Sequence, residues 1–599
     1  MASCSKMNVP AVNPRGNDTR RAMDYNARIL YEGERIQRDR PMLDKADKSK
    51  KSDQTVAGGP PLDFQEHLRR LETRGLVTRI DHAIDKDSEL HPLVRWQFQG
   101  GLAEEQRRAF LFTNVVDGSG RRYDIPVAVG ALGASPEIYA IGMGVPVEDI
   151  GKVWDRAIAH PIAPITVKST ACQDVVIKGD DLLKPGEGLA RLPVPISTPG
   201  FDSAPYLTAT LCITRDPETG VQNMGTYRAA LKAQDRLGVR MSSRPGGAGG
   251  YLHWRKYQKR KQPMPCAIVI GCAPVVLFTG PQKLPIDVDE MTVAGGLAGS
   301  AIRIAKAVSV DLHVPADAEI VIEGLIDSEL LEPEGPFGES HGHVALEDFN
   351  MSMRVTAITH KRKPVFVSII SQVTPSESSV MKKVAFEPMF LSHLRDQLGI
   401  RGIKRVAMHE AFTNLRKVIF LQFARGTART EVWRGLQGAS SLRADCGKIC
   451  IAVSEDIDPA NADAIFWSLA YRSDPGIDVQ IMPYRSAGHG PKSGPREDST
   501  ILIDATLKHD MPPLALPKQE FMERALTLWK KLDLPPITPQ PPWHGYSLGD
   551  WDEHYDIYAQ RAVAGRWEES GKETIKRRRG GLTPETPARD VEGAPKKSK

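Results

Sequence analysis

The chain has 599 residues, of which 41% are hydrophobic and 26% are charged, a composition typical of a globular protein with two or three domains. The net charge of +5 comes from the two ends, because residues 1–59 hold 12 Lys/Arg against 8 Asp/Glu and residues 571–599 hold 9 against 4. The body between them is near −4, which argues against a nucleic-acid-binding face. Seven cysteines without paired spacing do not indicate a disulfide framework. No apolar run is long enough for a membrane span, and we expect a cytoplasmic protein.

Residues 1–60 are polar and basic, and we predict a disordered extension there. Residues 61–180 alternate helix and strand patterns, which predicts an N-terminal α/β domain. Asp63 and Glu66 form a capping-box pattern at the start of its first helix. Further elements are predicted at LVTRI (strand), 88–99 (helix), 109–116 and 125–130 (strands) and after Ser135-Pro136 (helix).

Residues 181–372 are rich in short β-branched runs, which predicts a mainly β domain. Its last run, 353–371, is predicted to be a hairpin that turns at 361–364. One inserted helix is predicted at 288–307.

Residues 373–532 alternate helix and strand again and predict a second α/β domain, doubly wound, with IDVQIM as its final strand. A helix is predicted at 384–398, and Asp458-Pro459 is predicted to cap the helix that ends at Arg472. A Pro-rich spacer and a C-terminal helix follow at 533–570, and a disordered basic tail at 571–599.

The segment EPEGPFGE (332–339) carries three carboxylates among two prolines and two glycines. This composition predicts a stiff loop. Crowded carboxylates raise one another's pKa, which is how a carboxyl group serves as an acid near neutral pH. A solvated acidic turn explains the segment equally well.

Four other segments could carry chemistry. In QNMGTYR (222–228), Asn223 is a candidate ligand and Arg228 a carboxylate binder, although a polar strand end fits too. The glycine-rich 240–250 suits a phosphate or a flexible hairpin tip. Glu290, next to Asp287 and Asp289, is a metal ligand or a helix start. His341 and His343 would share one face of a strand, as a metal pair or a surface pair. No G-x-S-x-G or HExxH pattern supports a hydrolase.

In order and spacing, these motifs resemble the UbiD-like family of prenylated-FMN-dependent decarboxylases. Asn223 to Arg228 match its N-x-G-x-Y-R motif, Arg240-Met241-Ser242 and the glycine-rich loop match its flavin-phosphate segment, and EPEGPFGE matches its most diagnostic motif. VSEDIDPANADAIFWSLAYRSDP (453–475) and LIDAT (502–506) are similar to its C-terminal signature.

The resemblance implies a mixed α+β fold with an N-terminal α/β domain, a central split β-barrel of flavin-reductase type and a C-terminal α/β domain. It implies a carboxy-lyase that uses prenylated FMN, Mn2+ and also K+, acts as a homo-oligomer (dimer or hexamer) and depends on a flavin prenyltransferase. The implied catalytic residues are Arg228, Glu334 (partner of the arginine) and Glu339 (proton donor), and the implied metal ligands are Asn223 and Glu290. The implied cofactor-binding residues are Thr226, Tyr227, Arg228, Arg240, Met241, Ser242, Arg244, Gly246 and Glu290.

One departure concerns the metal, because residues 243–246 lack the histidine that many relatives place there. Arg244 is then expected to neutralise the phosphate directly. The expected substrate is an aromatic or α,β-unsaturated acid, with an aryl-CoA ester such as phthaloyl-CoA as the second choice. The loop 372–383 is expected to face it, with Lys382 and Lys383 available to an acidic or CoA-bearing group. The alternatives are a subunit of a multi-subunit aromatic carboxylase and a flavin-free metal enzyme using Glu290, His341 and His343.

Overall fold

The computed structural model describes residues 58–241, 248–282, 284, 288–409, 416–443, 446–486, 497–509, 511–537, 551–578 and 582–587. The predicted extension 1–57 and the predicted cofactor residues Ser242, Arg244 and Gly246 lie outside these residues. Asp287 and most of the predicted tail lie outside them as well. None of the described helices combines the length and the apolar character needed to cross a membrane.

The α-helices of the described residues are, in chain order, α1 (Phe64–Thr73), α2 (Leu90–Gln99), α3 (Pro136–Met143), α4 (Ile150–Ala159), α5 (Gly249–Arg260), α6 (Pro274–Thr279), α7 (Glu290–Ala298), α8 (Glu377–Ser392), α9 (Arg429–Ser441), α10 (Ala462–Arg472), α11 (Gln519–Lys531), α12 (Glu553–Val563) and α13 (Trp567–Thr574).

The strands are β1 (Val77–Ile80), β2 (Ile84–Asp85), β3 (Ala109–Phe112), β4 (Val115–Val116), β5 (Arg122–Tyr123), β6 (Val127–Val129), β7 (Ile165–Thr166), β8 (Val175–Lys178), β9 (Tyr206–Leu207), β10 (Thr210–Arg215), β11 (Gln222–Gly225), β12 (Ala229–Ala233), β13 (Arg236–Val239), β14 (Met264–Ile270), β15 (Arg303–Lys306), β16 (His313–Pro315), β17 (Ile320–Pro333), β18 (Phe337–Gly338), β19 (Val344–Ala345), β20 (Phe349–His360), β21 (Phe366–Ser368), β22 (Ile403–Met408), β23 (Val418–Phe423), β24 (Ile449–Ser454), β25 (Val479–Ser486) and β26 (Glu497–Ala505).

The first helix forms as its sequence predicts. The Asp63 side chain accepts a hydrogen bond from the Glu66 backbone N–H at 2.7 Å and so caps the first turn. Phe64, Leu68 and Leu71 are buried on one face. This face belongs to the same apolar core as the four-stranded sheet β1-β3-β6-β21, of which β6 and β21 are fully buried and β3 mostly so.

The central sheet is rolled up. Its strand order is β11-β10-β14-β17-β20-β13-β12-β9, with β8 paired to β20. The two ends of this path are joined by very short links, because β11 leads into β12 through residues 226–228 and β9 leads into β10 through residues 208–209. A three-residue link spans at most about 14 Å. The sheet must therefore curve until its ends meet, and the seam between them lies at residues 226–228. The mixed α+β class is thereby confirmed, with this sheet as its centre.

The predicted hairpin at 353–371 is wrong. Strand β20 ends at His360 in the central sheet, whereas β21 pairs in parallel with β6 of the first sheet. Both edges of β20 are already occupied, by β17 on one side and by β13 and β8 on the other. The link from β20 to β21, residues 361–365, is held by the buried Glu319. This carboxylate accepts hydrogen bonds from Lys361 Nζ at 2.7 Å and from the Val365 N–H at 2.9 Å.

Three other predicted elements have different limits. The helix expected at 288–307 ends at Ala298, because Gly299 adopts a left-handed conformation and 303–306 form strand β15. The helix expected at 384–398 begins at Glu377, where Ser376 caps it. The helix α10 is capped by Asn461, whose side chain accepts from the Asp463 and Ala464 N–H groups, and not by Asp458.

The C-terminal sheet has the order β22-β23-β24-β26-β25. Its three inner strands are parallel and both edge strands are antiparallel to their neighbours. Two separate apolar clusters cover its faces, one with α8 and α9 and the other with α10. IDVQIM is therefore an edge strand and not the last one, because β26 comes later in the chain and inserts between β24 and β25.

Helix α8 bridges two cores. Val380 and Met381 belong to the main apolar core, and Phe386 and Phe390 belong to the core of the C-terminal sheet. At its first turn, Glu377 is fully buried and its carboxylate accepts hydrogen bonds from the N–H groups of Gly130 (3.0 Å) and Leu132 (2.9 Å). Burial raises the pKa of Glu377 from 4.5 to about 7, against the lowering effect of these bonds.

We predict that Glu377→Gln flattens the pH dependence of folding. Between pH 4.5 and 7 the folded protein keeps this proton and the unfolded chain has released it, so the free energy of unfolding falls as the pH rises. This group contributes a slope of at most about 1.4 kcal/mol per pH unit. Urea unfolding at several pH values would measure it, with the exposed Glu72→Gln as control. Glu290 and Glu387 keep their own contributions in the variant, and an unchanged slope in Glu377→Gln would contradict the prediction.

Candidate active site

Arg228 lies at the seam of the central sheet. Residues 226–228 leave the strand ladder between β11 and β12, so their side chains are not confined to the alternation of a strand. Thr210 of β10 holds this link, since its hydroxyl donates to the Tyr227 carbonyl at 2.6 Å. The Thr226 N–H donates to the Gly280 carbonyl at 3.3 Å. Hydrogen bonds therefore hold the backbone of residues 226–228 in place, and with it the position of their side chains.

Three nitrogens of Arg228 contact two carboxylates of EPEGPFGE. Nε and Nη2 donate to Glu334 Oε1 and Oε2, both at 2.8 Å, a bidentate pair. Nη1 donates to Glu339 Oε1 at 2.5 Å. The structure thus brings together the three residues that the sequence predicted to act as one unit.

This network is almost completely buried. Glu334 is 2% exposed and Glu339 is 6% exposed. The Phe337 ring covers Arg228, with the guanidinium carbon 4.5 Å from the ring centroid. Burial lowers the pKa of Arg228, but its hydrogen bonds and charge interactions with Glu334 and Glu339 raise it more, so the net shift is upward. Arg228 therefore stays cationic in the buried site.

The loop that carries the carboxylates is held by its neighbours. Strand β17 ends at Pro333, and the Gly338 N–H donates to Asp202 Oδ1 at 2.8 Å. The Ser203 N–H donates to the Pro336 carbonyl at 2.9 Å. Gly335 has φ +82°, and a Cβ there would lie 2.6 Å from the Ser203 hydroxyl, so glycine is required on both counts. The loop is thus stiff, as its composition predicts.

Glu332 stands apart from this network. It is the second-last residue of β17, and its carboxylate lies 3.5 Å from Arg236 in a partly exposed ion pair. The structure therefore separates the three glutamates of the motif into one strand residue and two buried ligands of Arg228.

Asn223 and Glu290 lie side by side. Glu290 opens helix α7, and its Oε2 accepts from the Met224 N–H, next to Asn223, at 2.8 Å. Burial raises the pKa of Glu290 to about 7, against the lowering effect of this bond. Asn223 Nδ2 donates to the Tyr227 hydroxyl at 3.4 Å. Burial also raises the pKa of Tyr227 to about 12.

These residues fit a hard divalent cation. They offer a carboxylate and an amide oxygen, the ligand types that such ions prefer. A Cβ on residue 249 would lie 1.9 Å from the side-chain carbonyl oxygen of Asn223, so the glycine at this position leaves room for that oxygen. No cluster of three His, Cys, Asp or Glu residues suited to a metal exists among the described residues. Asn223 and Glu290 would therefore hold a cation together with groups from another source, such as a phosphate.

The two described residues before the glycine-rich loop have other partners. Arg240 donates to Asn350 Oδ1 at 2.9 Å and to Asp348 Oδ2 at 2.6 Å. Met241 is buried beside Gly250, where a Cβ would lie 3.0 Å from its sulfur. These contacts anchor the base of the loop.

The expected placement of His341 and His343 on one face of a strand is wrong. His341 and His343 lie in the turn between β18 and β19 and not on a strand, and their rings are 5.9 Å apart. The turn is held by the His343 N–H, which donates to His341 Nδ1 at 3.2 Å. His253 is buried in α5 and contacts the Thr214 hydroxyl at 2.9 Å.

A cavity of about 280 Å3 adjoins the seam. It lies between the start of β10, the link residue Thr226, the end of α6 and the first three turns of α8. Lys382 and Phe386 of α8 line it. Lys383 has a different role, because its ammonium pairs with Glu104 at 3.1 Å. Of the segment 372–383, which is expected to face the substrate, Ser378, Met381 and Lys382 line this cavity.

Some residues that shape the site were missed from the sequence. Asp202 and Ser203 fix the EPEGPFGE backbone, and Lys232 Nζ donates to the Pro333 carbonyl at 2.7 Å. The segment PGFDSAP before β9 has turn composition, and an aspartate in such a turn is a common acceptor of backbone N–H groups. That pattern could have indicated Asp202, but not its distant partner.

Comparison with known proteins identifies the class. Three family models match, described as the N-terminal, Rift-related and C-terminal domains of 3-octaprenyl-4-hydroxybenzoate carboxy-lyase, over residues 68–158, 165–373 and 380–505. These matches cover well over half of the chain. The protein is therefore an enzyme of the carboxy-lyase class, and it belongs to the UbiD family of prenylated-FMN-dependent carboxy-lyases.

Individual relatives agree with this assignment. An uncharacterised protein of Synechocystis sp. is 29% identical over 450 residues, which cover 70% of this chain and 84% of that protein. The UbiD-class enzyme HmfF from Pelotomaculum thermopropionicum, solved with FMN, is 27% identical with a TM-score of 0.66, covering 77% of this chain and 96% of HmfF. Vanillic acid decarboxylase from Sedimentibacter hydroxybenzoicus, at 23% identity and a TM-score of 0.64, covers 79% of this chain and 99% of its own and shares the fold.

We predict that Arg228→Met lowers the free energy of unfolding by about 3–5 kcal/mol, because it leaves two buried carboxylates without their cation. The control is Arg236→Met, which removes only the partly exposed pair with Glu332 and should cost less than about 1 kcal/mol. Urea unfolding at pH 7 measures both values. Equal losses in the two variants would show that the Arg228 network does not stabilise the fold.

Proposed function

We propose that the protein catalyses the reversible, non-oxidative decarboxylation of an aromatic or α,β-unsaturated carboxylic acid with prenylated FMN. A free aromatic acid is the first substrate choice, and an aryl-CoA ester such as phthaloyl-CoA is the second. The single observation that carries the proposal is the buried Arg228–Glu334–Glu339 network, whose arginine lies on the same link as Thr226, a residue of the cavity wall. HmfF, solved with FMN and in an evolved form with prenylated FMN, supports the choice of cofactor.

Arg228 is suited to bind and orient the substrate carboxylate. Its bidentate pair with Glu334 uses Nε and Nη2, which leaves Nη1 as the nitrogen that a second carboxylate can take from Glu339. Exchange at Nη1 would put the substrate carboxylate on Arg228 in the place of Glu339. Glu334 would stay in place and keep the guanidinium in one orientation.

Glu339 is proposed as the proton donor. With a substrate bound, three carboxylates surround one guanidinium, and their mutual repulsion favours a proton on one of them. Glu339 is the one displaced from Arg228, so it would hold that proton. When the C–C bond breaks and CO2 leaves, the electron pair stays with the substrate carbon, which then takes the proton from Glu339. Prenylated FMN supplies, when bound, an electron sink for that pair.

The cofactor and metal would be held by residues around the seam. Thr226, Tyr227, Arg228, Arg240, Met241 and Glu290 are proposed to bind the flavin, and Ser242, Arg244 and Gly246 are proposed from the sequence alone. Asn223 and Glu290 would hold Mn2+, whose positive charge would offset that of the flavin phosphate. The acidic Glu290 is best suited to this role when ionised, and a cation favours that form.

The proposal is tested by producing the full chain in cells that also make a flavin prenyltransferase. The purified protein should retain a modified flavin by mass and absorbance, and should decarboxylate some member of a panel of aromatic acids and their CoA esters. Activity of the chain alone would exclude an obligate accessory subunit. If no modified flavin is retained and no acid exchanges CO2, the proposal fails.

Glu339→Gln is predicted to lower kcat by at least about 100-fold while flavin content is unchanged, because the amide cannot donate the proton. Glu332→Gln is the matched control from the same motif and should keep kcat within about twofold. Turnover and flavin absorbance are measured on the same samples. Full activity of Glu339→Gln would remove this residue from the donor role.

Glu290→Gln is predicted to reduce bound Mn2+ at least tenfold, since it replaces an ionised ligand by a neutral one. Metal content by mass spectrometry gives a readout that does not depend on turnover. Asp289→Asn is the control, because Asn also caps a helix and Asp289 caps α7. Equal metal content in wild type and Glu290→Gln would exclude Glu290 as a ligand.

A further inference from the structure

Gly338 lies between two residues that contact Arg228. The Phe337 ring covers the guanidinium, and the Glu339 carboxylate accepts a hydrogen bond from its Nη1. Because the three residues are consecutive in the chain, a shift of the Gly338 backbone would move both contacts. The position of Gly338 therefore matters for where Glu339 meets Arg228.

Gly338 is closely surrounded. Its N–H donates to Asp202 Oδ1 at 2.8 Å, and Asp202 Oδ2 accepts from the Thr198 N–H at 2.7 Å. A Cβ on residue 338 would overlap the Thr198 hydroxyl oxygen and would lie 3.0 Å from Cγ of Gln372. The backbone of Gly338 is therefore held by a hydrogen bond and confined by the side chains of Thr198 and Gln372.

The Gln372 side chain is itself fixed through its carbonyl oxygen. The residue is 3% exposed, and its Oε1 accepts hydrogen bonds from Arg95 Nη2 at 2.8 Å and from the Ser371 N–H at 3.3 Å. Two N–H donors at one atom identify that atom as the oxygen of the amide. Its Nε2 is buried and has no hydrogen-bond partner among the residues that the structure describes. Arg95 is thus the side chain that anchors the carbonyl end of Gln372.

Arg95 interacts with two of the residues that hold Gly338. It lies on α2 of the N-terminal domain and contacts Gln372 through Nη2. Burial lowers the pKa of Arg95, and the negative charge of Asp202 raises it, so Asp202 stabilises the charged form of this arginine. A guanidinium presents its N–H groups in a rigid planar fork, which orients an acceptor better than a flexible ammonium does.

We propose that Gln372 is a positioning residue for the acid Glu339, and that Arg95 holds Gln372 in this role. The contact with Arg95 keeps the Gln372 side chain against Gly338, and Gly338 in turn keeps Glu339 in its place at Arg228 Nη1. The inference rests on the proposed function for the role of Glu339 as proton donor. The confinement of Gly338 does not depend on that role.

Three variants of the full chain separate this contact from simple packing. Gln372→Leu keeps the bulk against Gly338 and removes the acceptor of Arg95, Arg95→Met removes the donor, and Gln372→Glu keeps the acceptor. The matched control is Gln97→Leu, on the same helix as Arg95. Gln97 is also buried, and its Oε1 also accepts a backbone N–H, that of Arg108, at 2.8 Å.

Two measurements are made on each variant. Hydrogen exchange of peptides that cover residues 334–343 is followed without substrate, and kcat and KM per bound flavin are determined on the enzyme loaded with prenylated FMN. Gln372→Leu and Arg95→Met should speed the exchange about threefold or more and lower kcat about tenfold or more, with KM within about twofold, because a misplaced acid slows the chemical step and leaves binding unchanged. Gln372→Glu should keep kcat within about threefold of wild type. Gln97→Leu should change neither measurement.

Four results would overturn the inference. Exchange and kcat equal to wild type in Gln372→Leu would show that this side chain positions nothing. Equal losses in Gln372→Leu and Gln97→Leu would indicate general destabilisation. A raised KM with unchanged kcat would indicate a contact with the substrate. A loss of kcat in Gln372→Glu as large as in Gln372→Leu would exclude the contact with Arg95 as the cause.

The failure of the proposed function would look different. If the exchange of residues 334–343 depends on Gln372 and Arg95 but Glu339→Gln keeps full turnover, the loop is positioned as inferred and the proton donor is another group. If Glu339→Gln is inactive but the Gln372 and Arg95 variants match wild type in both measurements, the proposed function stands and the positioning role fails.

Discussion

The rest of the site depends on one guanidinium shared by two buried carboxylates. Burying a charged arginine or glutamate alone would destabilise the folded protein, because the charge loses its contact with water. A well-oriented partner of opposite charge offsets this loss. Here Glu334 supplies a bidentate contact and Glu339 a single one, so the two acids are not equivalent. In the proposed reaction, Glu334 keeps its contact with Arg228 throughout, and Glu339 is the acid that the substrate carboxylate replaces.

The fold brings this cluster together from distant parts of the chain. Arg228 comes from the seam where the central sheet meets itself, and the glutamates come from the loop after its longest strand. Asp202, Ser203 and Lys232 fix that loop through hydrogen bonds to its backbone N–H and carbonyl groups. The arrangement resists small changes in side-chain packing, because its reference points are main-chain atoms.

Local composition and spacing predicted the mixed α+β class and the first helix, and the resemblance of the motifs to the UbiD-like family implied the three members of the network, with Glu334 and not Glu332 as the partner of Arg228. The pair of Glu332 with Arg236 could not be predicted from the segment itself, since it depends on where β17 ends. The sequence could not show that Lys382 lines the cavity while Lys383 pairs with Glu104. Both positions depend on residues that are distant in the chain. The hairpin at 353–371 failed for a similar reason: β20 had no free edge, and only the tertiary structure shows this.

Helix α8 has a consequence for how the cavity can change. Ser378 and Lys382 belong to the half that Glu377 ties to the main core, whereas Phe386 belongs to the half embedded in the core of the C-terminal sheet. The part of the cavity wall that α8 forms is therefore anchored in two different apolar cores. Substitutions inside the C-terminal sheet can move Phe386 and alter the size of the cavity, while the charged end of the wall keeps its position relative to Arg228. Selection for size and selection for charge can thus act on separate parts of the protein.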